Sequence, residues 1–306
     1  CFMQALPTIE ALAECEEDPL LKLWEGLGYY NRVRNMQKAA QLICAQYDGQ
    51  MPQTYEQIVA LPGIGPYTAG AIASIAYDER VPAVDGNVLR ILARVSEDDR
   101  DILKDATKKR MTAELQQIMP EEAGAFNQAL MEIGALVCIP NGQPKCEECP
   151  WQPYCQACQH ETYDRLPVKT KAKPRRIEEK TVLLIRDGEK IVLRKRPPKG
   201  LLAGLYELPN LPGYLKEEEV LAFVRSQNLE PLLIKKLPDA KHIFSHIEWL
   251  MQGYVVQVAD VDSFHSDEAL SKGPEDYLLV EIEKTKNAYA IPSAFDRYAA
   301  YIALRD

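Results

Sequence analysis

Two groups of residues in this 306-residue chain have types and spacings that could do chemistry. The first centres on Asp85, which precedes Gly86-Asn87-Val88 and a segment to Val95 with apolar residues at helical intervals. An aspartate in that position caps a helix, accepting first-turn N–H groups and staying ionised beside the positive end of the helix dipole. Such an aspartate, taken by itself, is a structural cap. The second group is Cys138, Cys146, Cys149 and Cys155, spaced C-x7-C-x2-C-x5-C. Four thiolates so close in sequence form a tetrahedral zinc site or the ligand set of an iron–sulfur cluster, and composition alone slightly favours zinc. Cys158 is a rival fourth ligand, expected to remain free.

The elements that must position these groups are helical. Thr54, with Gln57 three residues on, starts a short helix that Pro62 and Gly63 stop. Gly63 and Gly65 flank Ile64, and Pro66 suits the first position of a second helix, Tyr67 to Tyr77. A glycine turn running into a helix N-terminus offers unpaired N–H groups to a phosphate oxygen without needing basic side chains. It also reads as an ordinary helical hairpin. Earlier, Trp24 to Asn35 combines two glycines, Leu27, paired tyrosines and two arginines, including Tyr29 and Arg32. That mixture suits an aromatic packing corner, or a wedge between bases flanked by cations. Residues 96–122 are polar enough for a solvated helix with loops, and Ala123 to Cys138 reads as one buried helix delivering Cys138 to its loop.

After a linker rich in Lys, Arg and Pro, the apolar period changes from 3.6 to 2. Thr181 to Arg186 and Ile191 to Arg196 flank Asp187-Gly188 as a hairpin. Further strands are expected near 234–237, 249–258 and 277–282, with helices at 216–227 and from Pro292 to Leu304. The chain is 46% hydrophobic and 26% charged, enough for two domains with cores. Its net charge of −9 argues against general nucleic-acid binding, which draws on local Lys and Arg. Eight cysteines in a chain of this length fit a metal site in a reducing compartment better than a disulfide scaffold. No stretch reaches transmembrane length, and since the chain begins at Cys1 a targeting segment ahead of it stays open.

Leu61-Pro62-Gly63-Ile64-Gly65, followed about twenty residues later by Val84-Asp85-Gly86-Asn87-Val88, resembles the helix-hairpin-helix DNA glycosylases. Gly26-Leu27-Gly28-Tyr29-Tyr30-Asn31-Arg32-Val33-Arg34-Asn35 narrows the resemblance to adenine DNA glycosylases. It implies an all-α helix-hairpin-helix domain over 1–158 with a cluster loop at 138–155, a basic linker over 159–178, and an α+β Nudix-like domain over 179–306. It also implies a [4Fe-4S] cluster on Cys138, Cys146, Cys149 and Cys155, although the first spacing is seven residues where six is usual. Asp85 would be the catalytic carboxylate, positioned by Asn87. Tyr67 stands where strand-cleaving members carry a Schiff-base lysine, implying base removal without lyase chemistry. That tyrosine, with the C-terminal domain, disfavours an endonuclease III-like glycosylase/lyase. Leu27, Tyr29, Arg32, Gly63, Gly65 and Lys145 would contact DNA, and Phe244-Ser245-His246 would read 8-oxoguanine. The Nudix metal-binding acid pattern is missing around Tyr214 to Val220, so nucleoside diphosphate hydrolysis is not expected. The implied partner is duplex DNA with adenine opposite 8-oxoguanine or guanine, bound by a monomer in the cytoplasm at the nucleoid. The family's general-acid glutamate belongs to a segment ahead of the one matching Leu6 to Ala13, and its role does not transfer to Glu10, Glu14, Glu16 or Glu17. The expectation for this chain is therefore weak or absent turnover, with lesion binding alone as the alternative function.

Overall fold

Caps and turns set the helix boundaries in the first half of the chain. The computed structural model describes residues 2–171, 173–263 and 277–303. Its first half carries α1 (Phe2–Ala5), α2 (Ile9–Glu14), α3 (Glu17–Leu23), α4 (Asn31–Gln46), α5 (Tyr55–Val59), α6 (Pro66–Tyr77), α7 (Gly86–Val95), α8 (Asp105–Gln117), α9 (Ala123–Glu132) and the short α10 (Gln156–Gln159). Thr54 accepts the Gln57 N–H as expected, and Glu79 adds a second acceptor at this end by taking the Tyr55 N–H at 2.6 Å. Pro66 occupies the first turn of α6. By packing, the chain forms two compact units, Asn35–Ala172 and Cys1–Arg34 with Lys173–Asp306.

In the unit Asn35–Ala172, α7 is buried on two sides. Val88 and Ile91 pack with Leu115, Met119, Ala123 and Leu130, while Leu89 and Ala93 pack with Ile102 and Met111. The polar stretch 96–122 is thus amphipathic where it forms α8, burying Met111 and Leu115. Helices α6 and α9 approach closely because Gly124 faces the Ser74 carbonyl, which a Cβ there would meet at 2.7 Å. Asn127 on α9 is fully buried. Its amide donates to the Ser74 hydroxyl and the Val81 carbonyl and accepts the Ala83 N–H, pinning the extended chain that leads to Asp85. The helix expected through Cys138 is α-helical only to Glu132. Ile133–Val137 widens into a π-turn, with the Cys138 N–H on the Ile133 carbonyl at 2.7 Å.

The other unit contains β1 (Arg176–Arg186), β2 (Lys190–Lys195), β3 (Tyr206–Glu207), β4 (Asn210–Pro212), α11 (Glu217–Ser226), β5 (Pro231–Ile243), β6 (Ile247–Val258), β7 (Tyr277–Glu281), α12 (Ile282–Thr285) and α13 (Asp296–Ala299). The strands form a mixed sheet in the order β3-β2-β1-β6-β5, with β4 against β1 and β7 against β2; β1 and β6 run parallel. Alternation along β1 sends Val182 and Leu184 to one apolar cluster and Leu183 and Ile185 to another, so this central strand is covered on both faces. The continuous helix expected from Pro292 is replaced by a 3₁₀ turn (Ser293–Phe295) and α13, because Phe295 and Tyr298 are both drawn fully into the sheet core. Leu304 lies outside the described residues. Leu20, Leu21, Tyr30 and Val33 pack on Leu205 and Ala290. Asp18 pairs with Lys195 at 2.8 Å and accepts the Tyr206 hydroxyl at 2.7 Å.

Asp98, just beyond α7, is buried, and its side chain pairs with Arg100 (2.9 Å) and Arg110. Burial opposes its ionisation, but hydrogen bonds from Arg100 and the charge of Arg110 outweigh it and hold the carboxyl below its ordinary value. A lowered folded-state value adds stability above the unfolded aspartate value near 4, and that stability is lost as pH falls through the lower folded value. Asp98→Asn should cost about 2–4 kcal/mol at neutral pH, since two guanidinium groups lose their partner. Denaturant titrations from pH 7 to pH 3 check this: the gap between wild type and variant should narrow as the medium becomes acidic.

Candidate active site

Asp85 caps α7 with both carboxylate oxygens engaged. Oδ1 accepts the Asn87 and Val88 backbone N–H groups at 2.8 Å each, and Oδ2 accepts the Asn87 side-chain amide at 2.9 Å. The cap uses one oxygen fully and leaves the outer side of the other for a ligand. Asn87 is oriented in turn by Arg90, whose guanidinium donates to Asn87 Oδ1 at 2.9 Å, to the Gly134 carbonyl at 2.7 Å and to the Cys138 carbonyl at 2.9 Å. Gly134 has to be glycine, because a Cβ there would sit 2.9 Å from the Asn87 Cβ.

The hairpin stands in the same unit. Gly63 has φ +77°, a left-handed conformation, and its backbone lies so close to Asn35 that a Cβ would meet the asparagine at 2.4 Å. Gly65, the N-cap of α6, has an ordinary φ of −91° and faces open space, so its value to the turn is access rather than backbone freedom. Tyr67 is partly exposed at the start of α6, and its hydroxyl lies 3.8 Å from Met131 Sδ. Burial first, and then the Asp85 carboxylate, raise this phenol above its ordinary value, so it stays a neutral donor near Asp85. Tyr67 also forms part of the wall of a cleft of about 650 Å³, with Gly65, Val84, Leu89, Lys108 and Thr112.

Beside α7 lies a cavity of about 30 Å³ walled by Cys138, Cys146, Cys149, Cys155 and Cys158 together with Arg94 and Lys145. Arg94, one turn beyond Arg90, donates to Cys138 Sγ at 3.3 Å and to the carbonyls of Ile139, Tyr163 and Leu166. Among the described residues no three His, Cys, Asp or Glu side chains converge on a single-ion site. The thiols instead surround a space, next to one buried cation that bonds directly to a sulfur. Burial and the neighbouring Cys158 raise the Cys146 thiol to about 11, so loading metal there must expel a proton. Lys145 pairs with Glu148 at 3.6 Å and is half exposed.

In the second unit the other residues singled out from the sequence sit at exposed tips. Leu27 and Tyr29 are 62% and 77% exposed on a turn where Gly26, Gly28 and Tyr29 itself all have positive φ. The Trp24 indole N–H holds this turn through the Gly28 carbonyl at 2.9 Å, and the Arg32 guanidinium lies 5.9 Å from the Tyr29 ring centre. Phe244, Ser245 and His246 form the tip between β5 and β6. Phe244 is the anchor, packed edge-on against Trp249 at 4.8 Å, while Ser245 and His246 are exposed. His242 lies within β5 and His246 in the turn, so the two histidines do not share a helical face.

Comparison with known proteins agrees with this layout. Residues 1–121 match the HhH-GPD superfamily of base excision DNA repair proteins, and residues 181–301 match the NUDIX domain. The adenine DNA glycosylase of Buchnera aphidicola (Acyrthosiphon pisum) is 32% identical over 87% of this chain and 75% of its own length. The chain belongs to the adenine DNA glycosylase family. It is 33% identical to the adenine DNA glycosylases of Rattus norvegicus and Homo sapiens over 83% of its length, spanning 59% and 56% of theirs. A solved structure of a thermostable thymine-DNA glycosylase aligns with 52% of this chain and 73% of its own at a TM-score of 0.47 and 24% identity. The expected fold class, a helical helix-hairpin-helix domain followed by a Nudix-like sheet domain, is the one observed.

Sequence reasoning missed Arg90 and Arg94 in this family member, because Asn87, Arg90 and Arg94 share one face of α7 and such a stripe ordinarily reads as solvated. The two arginines are 2% and 4% exposed. Arg90→Met keeps the bulk and removes three hydrogen bonds from a charged donor. It should cost about 2–4 kcal/mol in unfolding free energy. A loss below about 0.5 kcal/mol would show that water replaces the guanidinium.

Proposed function

We propose that the chain is a monofunctional DNA glycosylase that hydrolyses the N-glycosidic bond of adenine opposite 8-oxoguanine or guanine in duplex DNA. The observation that carries this reading is the Asp85 carboxylate, held by two backbone N–H groups and Asn87 in one unit with the glycine hairpin and the neutral Tyr67 phenol. The N–H groups at the hairpin and the start of α6 take a phosphate of the damaged strand, and the adenine is turned out of the stack to reach the site. As the C1′–N9 bond lengthens, positive charge grows on the deoxyribose, and Asp85, already oriented by its cap bonds and Asn87, stabilises it before water attacks. Tyr67 is a neutral hydroxyl donor beside that cation and has no amine to form a Schiff base.

No general acid is assigned within residues 9–17. The Glu10 carboxyl is held below its ordinary value by backbone and Thr8 hydrogen bonds, the wrong direction for a proton donor, and Glu17 pairs with Arg34 at 2.6 Å. Leu27, Tyr29 and Arg32 form the wedge and its cation, Lys145 a phosphate contact, and Ser245 with His246 the reader of the opposite base. The thiols around one cavity, with Arg94 bonded to a sulfur, fit a [4Fe-4S] cluster on Cys138, Cys146, Cys149 and Cys155 better than a single zinc ion. Such a cluster supplies a rigid, multiply anchored support for the loop that carries Lys145.

Single-turnover excision on duplexes with A opposite 8-oxoguanine tests this. Wild type, for which no general acid is assigned, should release adenine slowly and without borohydride-trappable adducts, and Asp85→Asn should remove that release at unchanged DNA affinity. Wild-type protein that binds the lesion duplex and releases no adenine would instead establish a silent lesion-binding protein. Ser245→Ala should reduce the preference for 8-oxoguanine over guanine by about tenfold, read from paired binding titrations.

A further inference from the structure

The turn between β5 and β6 is closed from two sides. The Phe244 N–H donates to the Ile247 carbonyl at 2.8 Å, and the chain entering β1 bonds the His246 carbonyl through the Arg176 N–H at 3.0 Å. The Phe244 carbonyl accepts Nε of Arg175 at 3.1 Å. That bond uses the inner edge of the guanidinium only. Neither terminal nitrogen of Arg175 has a hydrogen-bond or ion-pair partner among the described residues, and the side chain is exposed beside the exposed Ser245 and His246. Its neighbours on the basic stretch are different. Arg176 spends its guanidinium on Glu178 at 2.5 Å, and Lys169, Lys171 and Lys173 are exposed with no side-chain bond among the described residues to orient them. Arg175 is thus the cation of this stretch that is both oriented and uncommitted. An anchored, planar fork loses little freedom on binding, and its free edge presents parallel N–H groups that match two oxygens of a phosphate. A strand whose base is read at this turn brings a phosphate with every nucleotide, about 3.4 Å apart along the axis.

We infer that Arg175 is a backbone contact of the base reader: its terminal guanidinium nitrogens take a phosphate of the strand whose base Ser245 and His246 meet, while Nε holds the turn. This rests on the DNA reading proposed above. The contact carries no base information of its own. Its role is to set the register at which the turn meets the base, so it strengthens binding to damaged and undamaged partners alike.

Equilibrium binding of the purified full chain to duplexes with 2′-fluoroadenosine opposite 8-oxoguanine or opposite guanine tests this. The electron-withdrawing fluorine opposes positive charge at the sugar and keeps the duplex whole during the titration. Affinity is read at salt concentrations from about 50 to 200 mM. Arg175→Gln keeps an N–H for the Phe244 carbonyl and removes the charge. It should weaken both duplexes equally, by about three- to fivefold, and reduce the salt slope by about 0.9. Arg175→Lys keeps the charge and should keep the slope. An unchanged slope in Arg175→Gln overturns the proposal. So does a loss confined to the 8-oxoguanine duplex, which would make Arg175 a base contact. Equal losses of slope in the two variants would trace the effect to the shape of the turn and overturn it as well. Wild-type chain that binds neither duplex more tightly than an undamaged one would remove the DNA reading itself, an outcome distinct from a wild type that binds and an Arg175→Gln that matches it.

Discussion

Burying two guanidinium groups in one helix is the constraint on which the candidate site depends. Arg90 and Arg94 on α7 have lost their water, and a desolvated cation is tolerated only where several acceptors converge on it. Those acceptors are the carbonyls of Gly134, Cys138, Ile139, Tyr163 and Leu166, the Cys138 sulfur and the Asn87 amide oxygen. Gathering them fixes the π-turn before Cys138, the start of the cysteine loop and the chain after it. The same contacts orient Asn87 and through it Asp85. A single set of hydrogen bonds therefore sets the direction of the carboxylate at one end of α7 and the shape of the thiol-lined cavity at its side.

What was legible in the sequence follows from how local each determinant is. The Asp85 cap, Pro66 at the head of α6 and the Asp187-Gly188 hairpin depend on partners within a few residues, and all three stand as read. The roles of Arg90 and Arg94 depend on carbonyls 44 to 72 residues away, which no local pattern encodes. Glu79 caps α5 from 24 residues away for the same reason. The segment after Pro292 carries helical periodicity, but the pull of the sheet core on Phe295 and Tyr298 outweighs its modest local preference. The packing of residues 1–34 against Leu205 and Ala290 is the longest-range feature, and nothing in the early helices announces it.

The tips that the proposed function assigns to DNA share one construction. Each places an exposed side chain on a turn whose neighbours are heavily tied. Tyr29 holds φ +48°, costly for an aromatic residue by about 1 kcal/mol or more, on a turn secured by the Trp24 indole. Ser245 and His246 stand on Phe244, which is wedged between His242 and Trp249, while Arg175 and Arg176 bond the carbonyls of Phe244 and His246. Rigid support reduces the ordering that contact with a base would otherwise demand.

The same economy answers the objection raised by a net charge of −9. A binder that relied on lysine and arginine against many phosphates would release counterions in proportion and need a basic face. The hairpin instead offers backbone N–H groups and the α6 dipole, which carry no formal charge. Two arginines of this unit, Arg90 and Arg94, are spent inward on carbonyls and a sulfur. Acidic composition and phosphate contact are therefore compatible here, because the hairpin would meet the backbone through main-chain groups and the proposed function asks few exposed cations, Arg32 and Lys145, to face DNA.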